Sequence, residues 1–140
     1  MRIKKILLPV DGSPHSDRAA EYAVELAKTS GAEILVLHCH KPAPKFLGQP
    51  NFDQAAEKLS EQSGKIIDFY QTMLSMNNIP FDQLSVGGSA AQVITDTALA
   101  ERCDLIVMGS KGKSNLEGLI IGSVTHKVLH LAPCPVLVTR

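Results

Sequence analysis

Four glycines fall within fourteen residues late in the chain: Gly109, Gly112, Gly118 and Gly122, with Ser123 directly after the last. Two residues separate Gly109 from Gly112, and nine separate Gly112 from Gly122. Glycine lets a backbone approach an anion closely. The run Gly122-Ser123-Val124-Thr125 would offer phosphates the unpaired N–H groups of a helix start and two hydroxyls. Lys111 and Lys113 lie in the same stretch and could screen phosphate charge. The fragment Gly112-Lys113-Ser114 invites a Walker A reading, which fails because that loop needs glycine where Val107 stands. A Gly-x-Gly-x-x-Gly dinucleotide fingerprint is absent as well.

Other chemistries leave weaker marks. His38 and His40 alternate along one strand, and His126 and His130 lie one helical turn apart. Neither pair has a carboxylate or cysteine at ligand spacing, so both are expected to be ordinary core or surface histidines, and no metal set is assigned. No Gly-x-Ser-x-Gly elbow and no cysteine in a catalytic context is present, and no catalytic residue is assigned. Phosphoryl transfer needs a positioned nucleophile and strong charge stabilisation. Any hydrolysis by this chain is therefore expected to be slow.

These residues need a frame. Short apolar runs at 3–10, 33–39, 104–108 and 135–140 read as strands, with a weaker one at 81–87. Helical patterns lie between them. Ser13 and Pro14 supply an N-cap and first-turn residue for a helix whose face is Ala19, Ala20, Ala23, Leu26 and Ala27, ending at Gly31. Phe52, Ala55, Ala56, Leu59, Ile66, Ile67, Tyr70 and Leu74 share a face of a long second helix, closed by Asn77-Asn78. Ser89 and Gln92 form a capping box for a third, with Val93, Ile94, Thr97, Ala98 and Glu101 inward. A loop at 109–121, with a helical turn over 115–121, leads to a fourth helix from Gly122-Ser123 to Leu131. Lys4-Lys5 reads as a solvated strand edge.

The order is βαβαβαβαβ. Strands one, two, four and five are near-continuous aliphatic runs, the pattern of a parallel sheet covered by helices on both faces. Ligands of such sheets sit beyond the strands' carboxyl ends. The polar or glycine-rich segments there are Pro9-Val10-Asp11-Gly12-Ser13, His38-Cys39-His40, Val86-Gly87-Gly88-Ser89 and the loop after Met108.

Composition narrows the partners. The 140 residues suit one domain, 1–140, with 44% hydrophobic residues to build its core. Fourteen basic residues balance fourteen acidic ones, and aromatics are 4% with no tryptophan. Nucleic-acid binding by charge or base stacking is not expected. No run approaches the ~18 apolar residues of a membrane span. The apolar run at 6–10 is shorter than the roughly 7–15 residues of a signal-peptide core. Cys39, Cys103 and Cys134 are widely spaced, as reduced thiols would be. A cytoplasmic protein is expected, without membrane contact.

With these motifs assembled, the chain resembles the universal stress protein family. The Gly109-x2-Gly112-x9-Gly122-Ser123 spacing matches the family's ATP-binding branch. Ile6-Leu7-Leu8-Pro9-Val10-Asp11-Gly12-Ser13 matches its opening strand. Val36-Leu37-His38, Gly87-Gly88, Asp104-Leu105-Ile106-Val107-Met108-Gly109-Ser110 and Cys134-Pro135-Val136-Leu137-Val138 match later blocks. The resemblance implies a Rossmann-like, adenine nucleotide alpha hydrolase-like α/β fold, with a five-stranded parallel sheet of order 3-2-1-4-5 and helices on both faces. It implies that ATP is the ligand, with a divalent metal, Mg2+, beyond the phosphates. Pro9, Val10 and Asp11 would line the adenine and ribose pocket, with Asp11 accepting a hydrogen bond. Cys39 would pack near the base, and Met108 and Gly109 would flank the nucleoside. Lys111 would hold the first loop position, and Gly112, Gly122, Ser123, Val124 and Thr125 would hold the phosphates. The function implied is a nucleotide-dependent module of stress response or signalling, with an unknown signalling partner. A homodimer is expected through the apolar C-terminal edge strand. Two rivals stand beside this reading. One is an enzyme, a slow ATPase or nucleotidyl transferase, although the Ser-Gly-Gly-x-Asp-Ser loop of such enzymes is absent. The other is a dimeric interaction protein that never binds nucleotide.

Overall fold

The computed structural model describes residues 2–112 and 120–140. Lys113 and Gly118 lie outside them, as does most of the helical turn expected over 115–121. Ile120 and Ile121, which are described, form a bend.

The chain runs β1 (Lys5–Val10), α1 (Pro14–Ser30), β2 (Glu33–His40), a 3-10 turn (Lys45–Leu47), α2 (Asn51–Met76), β3 (Phe81–Gly87), α3 (Ala90–Ala100), β4 (Leu105–Gly109), α4 (Ser123–Leu131) and β5 (Val136–Thr139). The strands form a parallel sheet of order β3-β2-β1-β4-β5, as expected. The order reverses at β1, so the chain winds outward from the centre in both directions.

Strand parity decides which layer each residue joins. Ile6, Leu8, Val10, Ile34 and Val36 face α1 and α2, packing with Ala20, Ala23, Tyr70 and Leu74. Leu7, Leu35, Leu37, Ile106 and Met108 face the other way, onto Ala91, Ile94, Ala98 and Val128 of α3 and α4. Complete burial of a leucine such as Leu7 stabilises the fold by about 1.5–3 kcal/mol.

Local signals act as their chemistry requires at α1. Ser13 Oγ accepts from Ser16 N at 3.2 Å. At the far end Gly31 adopts φ 75°, and its N–H reaches Ala27 O at 2.8 Å.

Elsewhere tertiary context wins. The capping box at α3 does not form: Ser89 is the N-cap but makes no side-chain cap bond. Gln92 Nε2 donates instead to Asp96 Oδ1, one turn along, at 2.8 Å. The buried face of α3 is Ala91, Ile94, Thr95 and Ala98, not the face through Thr97 and Glu101. Thr95 tolerates burial because its hydroxyl bonds the Ala91 carbonyl at 3.1 Å. Glu101 is drawn outward to Lys5, whose Nζ lies 3.1 Å away. Lys4 is exposed, as a solvated strand edge would be, whereas Lys5 is half-buried and opens the central strand; both backbone N–H groups donate to Asp104 Oδ2, at 2.8 and 3.0 Å. Burial lowers the Lys5 pKa, but the hydrogen bond and charge of Glu101, with Glu33, outweigh it and leave the ammonium raised.

β5 is only partly buried, contrary to the expectation of cover on both faces. It lies at one edge of the sheet, and Leu137 is 37% exposed. β3, at the other edge, is mostly exposed or half-buried, which explains its weak sequence pattern.

Candidate functional site

A cavity of about 460 Å³ lies across the carboxyl ends of β1, β2 and β4. Its size falls within the range of roughly 300–1,000 Å³ typical of small-molecule sites. All twelve residues singled out from the sequence line it: Pro9, Val10, Asp11, Cys39, Met108, Gly109, Lys111, Gly112, Gly122, Ser123, Val124 and Thr125. Eight more residues line it that the sequence did not assign to the site, although His38 and His40 flank Cys39 in one of the strand-end segments. Ser16, His38, His40, Leu59, Gln62 and Ile66 come from the side of α1 and α2, and Ala90 and Ile94 from α3.

One end of the cavity is the start of α4. Its N-cap is Gly122, which has no side chain to offer, and the first backbone bond within the helix is His126 N to Gly122 O at 3.0 Å. The N–H groups of Ser123, Val124 and Thr125 therefore lack intrahelical acceptors, as in any first turn. Ser123 and Val124 are exposed there. Thr125 departs from expectation. Its side chain is buried and its hydroxyl donates to Gly109 O at 2.9 Å. That hydroxyl staples α4 to the end of β4, so Thr125 can offer an anion its backbone N–H but not its hydroxyl proton.

Space constrains Gly109, Gly112 and Gly122, most firmly Gly109. A Cβ on Gly109 would come within 2.8–2.9 Å of His15 Cβ, C and O, at the start of α1. A Cβ on Gly112 would lie 2.8 Å from Asp11 Oδ2. Gly122 approaches Lys111 and Ser110, and its N–H donates to Ser110 O at 2.6 Å. Gly109 thus serves the seating of α1 against β4, and Gly112 and Gly122 bring the loop against Asp11 and α4.

Asp11 is both a turn residue and a cavity residue. Its Oδ1 accepts from Ser13 N at 2.9 Å, and its backbone N–H donates to Ser16 Oγ at 3.2 Å. This knot holds the chain as it turns from β1 into α1.

The opposite wall is α2. Leu59, Gln62 and Ile66 recur at helical spacing and face the cavity. Buried Ser63, on the same face, is hydrogen-bonded to His38 Nδ1. His40 Nδ1 donates to Lys41 O at 3.0 Å. The rings of His38 and His40 lie 6.5 Å apart. Strand alternation is the signal that finds this pair: the parity that buries Ile34 and Val36 against α1 and α2 carries on to His38 and His40.

Burial pushes the Cys39 thiol up to about 11, and burial also raises Cys103 to about 11. All three cysteines are free. A protonated thiol suits Cys39 as a packing surface, not as a nucleophile. Thiols held protonated by the fold contribute stability that is intact below their ordinary value of 9.0 and lost as pH rises toward 11. The urea midpoint is therefore expected to fall across that window, and Cys103→Ala should flatten the fall.

The universal stress protein family model matches residues 2–140. A universal stress protein of Thermus aquaticus is 39% identical over 138 residues, covering 98% of each chain. The solved universal stress protein UspA of Lactobacillus plantarum is 26% identical with a TM-score of 0.86, over 100% of this chain and 99% of that one. Three more distant structures share the fold at 18–20% identity and TM-scores of 0.70–0.78, over at least 96% of this chain and 90% of theirs. They are universal stress proteins in complex with cAMP, with dAMP (from Archaeoglobus fulgidus) and with AMP (from Arabidopsis thaliana). The chain belongs to the universal stress protein family. Among the described residues, no helix is long and apolar enough to cross a membrane.

Proposed function

We propose that the chain binds ATP in this cavity and acts as a cytoplasmic, nucleotide-dependent module of stress signalling. The observation that carries the reading is the first turn of α4, whose N-cap Gly122 makes no side-chain cap bond and which opens on a cavity over the strand ends. Backbone N–H groups and the positive end of the helix dipole favour phosphate there. The nucleoside would lie between Pro9, Val10, Cys39 and Met108, with Asp11 toward the ribose. The adenine nucleotides held by distant relatives support the ligand class.

Mg2+ would arrive on the phosphate oxygens. Among the described residues, no group of three or more His, Cys, Asp or Glu side chains is gathered to hold an ion of its own. Lys111, beside Gly112 at the cavity, would add positive charge. The half-buried edge strand β5 supports a homodimer through that edge.

The test is calorimetric titration of nucleotide-stripped protein with ATP, GTP and AMP, each with magnesium. One ATP per chain, bound more tightly than GTP or AMP, is the expected result. Equal affinity for ATP and AMP would remove the α4 phosphate role. Absence of binding at millimolar ATP would overturn the reading and favour a nucleotide-independent interaction protein.

A further inference from the structure

A buried hydroxyl of α2 is wired into the turn that carries Asp11. Tyr70 is fully buried, 54 positions along the chain from Ser16, yet its Oη lies 2.9 Å from Ser16 Oγ and 2.6 Å from Asp17 Oδ1. Counting protons fixes the direction of the chain. A carboxylate only accepts, so the single Tyr70 proton goes to Asp17. Ser16 must then donate its proton to Tyr70 Oη, which leaves the Ser16 oxygen to accept from Asp11 N–H at 3.2 Å. Ser16 N in turn donates to Ser13 Oγ, and Ser13 N to Asp11 Oδ1.

The result is a polar path, Asp11 to Ser16 to Tyr70 to Asp17, running from the cavity into the layer between α1 and α2. Its surroundings are apolar: Val10, Ala20, Val24 and Leu74 belong to the same buried cluster. Ser16 and Tyr70, the two buried links of the path, have few alternative partners there, so breaking the bond between them leaves a buried hydroxyl unsatisfied.

We propose that Tyr70 is a positioning residue for nucleotide binding, holding the Asp11 carboxylate, through Ser16, where it can accept from ribose hydroxyls. The proposal rests on the adenine-nucleotide reading above and adds to it a residue on α2 that does not line the cavity. Asp11 offers acceptors only, and a ribose presents two vicinal donors, so their match is directional and sensitive to small rotations of the turn.

Binding of ATP and of 2′,3′-dideoxy-ATP, each with magnesium, to the full stripped chain tests this. The wild-type protein is expected to prefer ATP by about tenfold or more, the effect of hydrogen bonds to a charged acceptor. Tyr70→Phe is expected to bring the preference to within about twofold, while affinity for the dideoxy ligand stays close to wild type. Ser16→Ala breaks the same path one link nearer the cavity without altering the aromatic packing, and should give the same loss of preference. A folded Tyr70→Phe or Ser16→Ala protein that keeps the full preference overturns the positioning role. So does a uniform weakening of both ligands, which marks Tyr70 as structural only. Wild-type protein that binds neither ligand overturns the nucleotide reading itself, a failure distinct from these two.

Discussion

A Gly109→Ala protein is expected to lose about 1–3 kcal/mol of folding stability, the usual range for overpacking a closed site. The added methyl would meet the His15 backbone at 2.9 Å and its Cβ at 2.8 Å. These atoms sit at the start of α1, which packs broadly on β4. They cannot step aside as the tip of a long side chain can. Urea denaturation should show a lower midpoint with an unchanged slope. The expectation separates two accounts of one glycine. If Gly109 existed only to let an anion approach, alanine would weaken ligand binding and leave the apo protein's stability intact. An unchanged urea midpoint would contradict the packing account.

The second large effect has opposite signs for the fold and for the ligand. Ser123→Asp places a carboxylate in the first turn of α4, where the helix dipole favours negative charge by about 0.3–1 kcal/mol. The apo protein should become slightly more stable. The same carboxylate would stand beside the proposed phosphate position, and like-charge repulsion should weaken ATP by about tenfold or more. Adenosine, which carries no phosphate, should bind the variant as it binds the wild type. Equal losses for ATP and adenosine would place the phosphates elsewhere.

Much of this architecture is written locally. Ser13, Pro14 and Gly31 mark the ends of α1 through side-chain and backbone geometry that depends on near neighbours alone. The aliphatic runs of β1, β2 and β4 require cover on both faces, and hence a parallel sheet with two helical layers. The line of glycines after β4 marks a crowded place, although crowding by His15 and Asp11 is a tertiary fact that no spacing reveals. The α3 capping box misleads for a related reason. Ser89 and Gln92 satisfy the motif, but an i,i+4 partner, Asp96, takes the glutamine amide.

The α2 wall was not legible at all. Leu59, Gln62 and Ile66 belong to a stripe that also buries Ile67, Tyr70 and Leu74, so the periodicity marks a core face without saying where the core ends and the cavity begins. Ser16 and Tyr70 are ordinary residues in their own segments. Only the packing of α2 against α1 brings their hydroxyls to 2.9 Å. Thr125 shows the converse: the sequence places it in the phosphate run, and the fold commits its hydroxyl to Gly109 O.

The central claim is that phosphate binds at the start of α4 and the nucleoside across the end of β1. Its most direct test is an amide-resolved NMR titration of the nucleotide-stripped, isotope-labelled protein with ATP and magnesium. The account predicts the largest shifts at the amides of Ser123, Val124, Thr125 and Gly112, with a second group at Val10, Asp11 and Cys39. AMP should reproduce the second group and reduce the first. Shifts confined to other faces of the molecule, or no shifts at millimolar ATP, would contradict it.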